Sequence, residues 1–282
     1  MINDIKDCTM LNNGVKMPWL GLGVWQVNDP KELDHAVQAA IGCGYLSIDT
    51  ASAYGNEREV GHAIRASSVP RESLFITTKL WNAQQVKGYD ASLTAFETSR
   101  ALLGLEYLDL YLIHWPVPRK MKYVEAWKAL IKLQQEGLAR AIGVCNFHIH
   151  HLAELEQETG IIPAVNQVEL HPWLNQRPLL EYCRSKGIQV EAYSPLLSGH
   201  LREVRELAPI AARYQKTAAQ VVLRWDLQNG VVCIPKSVHA NRIQENAGIF
   251  DFVLSDEDMA AIDALDRGHR FLPDPDAMNF YR

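Results

Sequence analysis

Residues 107–146 read YLDLYLIHWPVPRKMKYVEAWKALIKLQQEGLARAIGVCN, and their pattern decides the fold. Two short apolar runs, "YLDLYLIH" and "ARAIGVCN", flank a helical stretch, "YVEAWKALIKLQQ". Runs this short and this continuously apolar suit parallel strands covered on both faces, and parallel neighbours need a crossover such as the helix between them. The same alternation extends in both directions. Upstream come "WLGLG", a helix opening at Asp29-Pro30-Lys31-Glu32, "LSID", a helix from about Glu57, "LFITTK", and a helix from about Tyr89 to Leu103. Asp29 suits a helix cap and Pro30 a first turn. Downstream come "HHLAELEQE", "AVNQVEL", "PLLEYCRSK", "IQVEAYS" and two further helical stretches. The second of these begins Thr217-Ala218-Ala219-Gln220, a capping-box pattern. "VVCIPKS" is the last strand, and helices follow from Arg242 and from Ser255.

Eight strand candidates alternating with helices predict a single (β/α)₈ TIM barrel, of class α/β. One domain over 1–282 is expected, with an N-terminal β-hairpin over 8–18, extra helices and an irregular tail over 266–282. The hairpin turn is assigned to the dipeptide Asn13-Gly14. An open doubly wound sheet is the alternative. "GLGVWQ" has Gln26 where a third phosphate-loop glycine would stand, and no helix opens there.

The chain has 282 residues, 48% hydrophobic and 22% charged, with a net charge of −5. This composition is that of an ordinary globular protein, and the charge argues against a general nucleic-acid surface. Five scattered cysteines, Cys8, Cys43, Cys145, Cys183 and Cys233, suggest neither a disulfide framework nor a zinc site. The N-terminus "MINDIKDCTM" lacks the apolar core of a signal peptide, so a cytoplasmic location is expected. No apolar run approaches the ~20 residues of a membrane span.

Catalytic groups of such barrels stand at strand C-termini and in the loops beyond. Asp49 ends the second strand, with Tyr54 in its loop. Lys79 ends the third and His114 the fourth. Asn146 follows the fifth, Gln167 and Glu169 end the sixth, Tyr193 and Ser194 the seventh, and Lys236 the eighth. Asp, Tyr, Lys and His around one mouth make an acid–base set. An ammonium beside a phenol lowers its pKa, and a carboxylate keeps that ammonium charged and in place. Asp49 is therefore expected to hold Lys79, Lys79 to tune Tyr54, and Tyr54 to protonate a carbonyl oxygen that His114 orients. The cluster His148, Ile149, His150, His151 is read as a helix start. No neighbouring acid or cysteine completes a ligand spacing, so no metal is expected. Glu169 and His171 are given a structural role.

"GLGVWQV", "SIDTASAYGNE", "FITTKLWN", "DLYLIHWPVP", "GVCNF", "NQVELHP" and "IPKSVHANRIQEN" together resemble the aldo-keto reductase superfamily, in order from about Leu11 to Leu265. "HWPVP", "YVEAW" and "PDPD" make the chain most similar to its bacterial 2,5-diketo-D-gluconate and methylglyoxal reductases. The resemblance implies NADPH bound without a Rossmann fold, and Asp49, Tyr54, Lys79 and His114 as a catalytic tetrad. Asn146 and Gln167 would bond the carboxamide, and Tyr193 would stack on the nicotinamide. The loop from Ser194 through Leu196 to Gly199 would follow the pyrophosphate. Lys236, Ser237, Val238 and Arg242 would hold the 2′-phosphate, with Glu245 and Asn246 near the adenine. Trp25, Trp81, His114 and Trp115 would wall the substrate pocket, and Phe271 to Arg282 would drape over it.

Two departures from the resemblance stand out. Cys145 replaces a common serine, and Tyr193 stands where close bacterial relatives often carry tryptophan. The expected activity is NADPH-dependent reduction of small aldehydes, ketones or keto sugars by a monomer. A metal-dependent barrel hydrolase and a non-catalytic NADPH-binding regulator are the rival readings.

Overall fold

A computed structural model of the protein describes residues 2–120 and 122–281. Arg282, the end of the expected drape, lies outside them. An antiparallel hairpin, β1 (Cys8–Met10) and β2 (Lys16–Pro18), precedes the barrel. Eight parallel strands follow: β3 (Gly21–Gly23), β4 (Ser47–Asp49), β5 (Phe75–Leu80), β6 (Leu108–Ile113), β7 (Ala139–Cys145), β8 (Val165–Glu169), β9 (Gln189–Tyr193) and β10 (Val232–Cys233). Each pairs with the next in chain order. The bridges Leu20–Cys233 and Gly23–Lys236 bring the last strand back to the first. β10 is shorter than "VVCIPKS" suggested: Pro235 has no N–H to give, and beyond the two paired residues only the isolated Gly23–Lys236 bridge continues the pairing.

The helices are α1 (Pro30–Gly42), α2 (Glu57–Ala66), α3 (Asn82–Gln85), α4 (Tyr89–Leu103), α5 (Tyr123–Gln135), α6 (Ile149–Thr159), α7 (Arg177–Lys186), α8 (Leu207–Tyr214), α9 (Ala218–Gln228), α10 (Ala240–Ala247) and α11 (Asp256–Asp263). Their starts follow the local chemistry. Asp29 Oδ1 accepts from the amides of Lys31 and Glu32. Thr217 and Gln220 form the reciprocal capping box. None of the described helices is long and apolar enough to cross a membrane.

Side chains alternate across each strand. Leu110 and Leu112 pack into the barrel with Phe75, Ala141, Cys145, Val165 and Val232. Tyr111 and Ile113 face outward into the larger cluster beneath the helices. Leu11 and Met17 of the hairpin join the inner cluster, so the hairpin plugs the end where the strands begin. Asn12 and Asn13 fasten it there, donating to the carbonyls of Pro163 and Arg140. The turn corrects the two-residue expectation. Leu11 N–H donates to Val15 O, leaving a three-residue loop with Gly14 at φ +85°. That arrangement uses glycine's left-handed freedom at the third position.

Candidate active site

At the opposite end the inward row turns polar. Lys79, with no exposed surface, donates to Asp49 Oδ1 at 2.5 Å and to the Thr50 carbonyl at 2.9 Å. Gln167 Nε2 donates to Asp49 Oδ2 at 2.8 Å and to Glu191 Oε2 at 2.7 Å. Neighbouring strands thus tie one cation, two acids and an amide into a dry floor. Burial works against the Lys79 charge, but Asp49 and then Tyr54 outweigh it and hold the amine above its usual pKa. Burial pushes the Asp49 carboxyl up, against the ammonium and the Gln167 amide. Glu191 is pushed up to about 8, by burial first and by the Asp49 charge second.

Tyr54 sits in a single 3₁₀ turn after β4, ended by Gly55 at φ +68°. Ser52 Oγ anchors that turn on the Lys79 carbonyl at 2.8 Å. Asn56 ties it to the carbonyls of Val24 and Val27 in the loop beyond β3. The Lys79 ammonium lies 5.2 Å from the Tyr54 ring centre. The expected net lowering of the Tyr54 pKa does not occur. Burial is the larger effect and pushes the phenol up to about 12, with Lys79 opposing. The His114 ring packs edge-on to Tyr54 and Trp81, at 5.8 and 5.2 Å between centres. Burial and the Lys79 charge hold the imidazole well below its usual pKa, so it is neutral.

A cavity of about 790 Å³ opens above this floor. Asp49, Tyr54, His114, Trp25, Trp81 and Trp115 line it, so the predicted tetrad and tryptophans converge, with Lys79 directly beneath. Asn146, Gln167, Tyr193, Ser194, Leu196, Lys236, Ser237, Val238 and Arg242 line it too. Glu245 and Asn246 do not; Glu245 accepts instead from Thr217 Oγ1 at 2.8 Å. Tyr193 donates to Asn146 Oδ1 at 2.6 Å, and Asn146 Nδ2 donates to the His114 carbonyl at 3.0 Å. Gln167 spends its nitrogen on the two acids, and its Oε1, which borders the cavity, accepts a long contact from the Cys145 thiol at 3.7 Å. Cys145 borders the cavity as a thiol, its pKa raised chiefly by burial. Lys236 and Arg242 are exposed and make no side-chain hydrogen bond or ion pair among the described residues. Asn146, Ser194 and Gln26 adopt φ of +64°, +51° and +58°, conformations that cost free energy and often mark functional rims.

The tail supplies lining that composition could not reveal: Leu272, Pro273, Met278 and Phe280. Glu169 explains part of its course. Its carboxylate accepts from His171 at 3.0 Å and from the amides of Phe271 and Leu272 at 2.7 and 3.1 Å. Asn82 Nδ2 holds the Phe280 carbonyl at 2.7 Å. Sequence reading missed Glu191. The available signal was its inward register, two residues before Tyr193 on a strand otherwise apolar at its centre. The histidine cluster also needs correction. It does acquire an acid, because the fold brings Asp276 within reach of His148, His150 and His151.

Comparison with known proteins agrees with this architecture. Residues 19–267 match the model of the Aldo/keto reductase family. The chain is 54% identical to glyoxal reductase of Bacillus subtilis (strain 168), over 99% of this chain and 100% of that protein. It is 49% identical to methylglyoxal reductase DkgA of Escherichia coli (strain K12), over 94% and 96%. Among solved structures, a D53A mutant of Gox0644 in complex with NADPH superposes with a TM-score of 0.92 at 43% identity, covering 97% of this chain and 98% of that one. The barrel-hydrolase and regulator readings fall with these matches: the chain belongs to the aldo/keto reductase family and is an oxidoreductase.

Proposed function

We propose that the protein is an NADPH-dependent carbonyl reductase that converts small aldehydes, ketones or keto sugars to alcohols, with Tyr54 as general acid. One observation carries the reading: a fully buried Lys79–Asp49 pair lies against Tyr54 at the floor of a tryptophan-walled cavity. When bound, NADPH supplies the hydride. Tyr54 gives its proton to the carbonyl oxygen as negative charge grows there. A phenol at about 12 remains a far stronger acid than an alcohol, whose pKa is near that of water at ~16, so this transfer runs downhill. Lys79 stabilises the phenolate left behind, and Asp49 keeps the ammonium charged and aimed. Neutral His114 orients the carbonyl oxygen by a hydrogen bond.

Lys236 and Arg242, exposed and without side-chain partners among the described residues, fit an anionic group better than they fit each other. In this reading Lys236, Ser237, Val238 and Arg242 hold the 2′-phosphate, at the strand end that leads into α10. Asn146 and Gln167 Oε1 meet the carboxamide, Tyr193 stacks on the ring, and Ser194 and Leu196 follow the pyrophosphate. The relatives' names make glyoxal and methylglyoxal the first substrates to assay, with 2,5-diketo-D-gluconate beside them. A cytoplasmic monomer without nucleic-acid or membrane partners completes the proposal, and five free thiols accord with a reducing compartment. The test is NADPH oxidation by purified protein over that panel, with NADH in parallel. Turnover with at least one carbonyl and preference for NADPH are expected; no oxidation of either cofactor would overturn the reading.

A further inference from the structure

We propose that His148, His150 and Asp276 form a binding site for a divalent transition ion of the zinc type, which clasps the C-terminal strap to α6. The inference is independent of the catalytic reading. His148 Nδ1 lies 3.1 Å from Asp276 Oδ2, and His150 Nε2 lies 3.1 Å from Asp276 Oδ1. One ligand atom from each residue lies within 4.8 Å of the others; two donors on one tetrahedral zinc stand ~3.3 Å apart, so loading draws the ligands together by about 1 Å. Imidazole nitrogen with carboxylate oxygen is the donor set such ions favour.

His151 plays a different part. Its Nδ1 accepts from the His148 amide at 3.1 Å, so the neutral ring carries its hydrogen on Nε2. That nitrogen is buried, at 1% exposure, and lacks a properly aligned hydrogen bond, although Asp276 Oδ1 is only 3.2 Å away. An unsatisfied buried donor is costly. It is aimed at the carboxylate that would have to turn toward a metal, and the turn would complete its bond. In the loaded site His151 would orient Asp276, as partners behind the ligands of a metal commonly do. His148 also contributes to the reciprocal cap of α6, and loading exchanges that contact for a coordinate bond. His150 and half of Asp276 face solvent, which gives the ion a way in.

The position gives the site a consequence. Asp276 lies two and four residues before Met278 and Phe280, both in the cavity wall. An ion at Asp276 would therefore pin this part of the strap between its anchors at Glu169 and Asn82.

The experiment uses chelator-treated full-length protein titrated with zinc chloride by calorimetry. Hydrogen exchange of the strap is followed with and without zinc. The expected results are one saturable equivalent, slower exchange around Asp276, and affinity weakened by about tenfold or more in His150→Ala and Asp276→Asn. Both substitutions are at exposed side chains outside the proposed catalytic set, so folding survives and circular dichroism checks it. Absence of saturable uptake, or uptake unchanged in both variants, would overturn the site. Bound zinc without any change in strap exchange would overturn the clasp.

Discussion

Lys79 and Lys236 stand at the third and eighth positions around one barrel rim, yet one has no exposed surface and the other no side-chain partner among the described residues. Lys79 points inward along β5 and finds Asp49, the Thr50 carbonyl and Tyr54 in fixed geometry. Lys236 follows β10 just past Pro235, bridged through its backbone to Gly23, with its side chain exposed ahead of α10. The buried lysine can only modulate its neighbours, because nothing from solvent reaches it. The exposed one can only act on something that arrives. Burial decides which role the same ammonium takes, through desolvation in the first case and screening in the second.

Breaking the buried side should have the largest effect. Lys79→Met leaves Asp49 buried without its cation, at a cost of about 3 kcal/mol in stability, and removes the charge that supports the Tyr54 phenolate. Turnover is expected to fall by roughly 10³-fold or more. Chemical denaturation and steady-state rates measure the two losses, and near-normal turnover would mean that the pair only holds the barrel together.

Glu191→Gln sharpens the same side without touching the cavity. Burial, and after it the Asp49 charge, push the native carboxyl up to about 8 from its reference value of 4.5. Between those values the folded state keeps a proton that the unfolded state has lost, so wild-type stability falls as pH rises, by up to ~1.4 kcal/mol per unit. Glutamine has no proton to lose. The stability difference should therefore move in the variant's favour from pH 5 to pH 8 and level off above, as read by thermal melts across that range. A difference independent of pH would show that the acid is ionised throughout.

Lys236→Ala and Arg242→Ala address the exposed side and should have the smallest effects. Each is expected to weaken NADPH by about tenfold, ~1.4 kcal/mol, while NADH changes less than twofold. Added salt should erode the wild-type preference for NADPH, since these charges are solvent-exposed, and leave the Lys79 effect unaltered. Equal weakening of both cofactors would remove the phosphate role from the rim.

Much of this was legible in the chain because strand ends are marked by local pattern. "FITTK" and "YLIH" are apolar runs that stop at a charged or ionisable residue; β5 covers the first, and β6 ends at Ile113, one residue before His114. α4 and α5 span the predicted residues because their helical patterns are uninterrupted. What stayed hidden depended on distance or on burial. Asp276 meets His148 across 128 positions, and no local signal announces that contact. The upward balance of the Tyr54 pKa could not be read from residue types, since Lys79 and desolvation pull oppositely and only the degree of enclosure decides. Glu191 was overlooked because an acid inside an apolar strand looks like a surface residue until the barrel closes around it. The hairpin loop differed by one residue because Asn-Gly suits both two- and three-residue turns, and the Leu11–Val15 pairing selects the longer.

The central claim is that the Tyr54 hydroxyl delivers the proton while the rest of the site binds the cofactor without it. Tyr54→Phe removes one oxygen and keeps the ring, so a single preparation assayed for NADPH affinity and for kcat with methylglyoxal tests it directly. The account predicts a kcat at least ~10²-fold lower with NADPH affinity within twofold of wild type. A kcat within a few-fold of wild type, or a loss that tracks weakened NADPH binding, would contradict it.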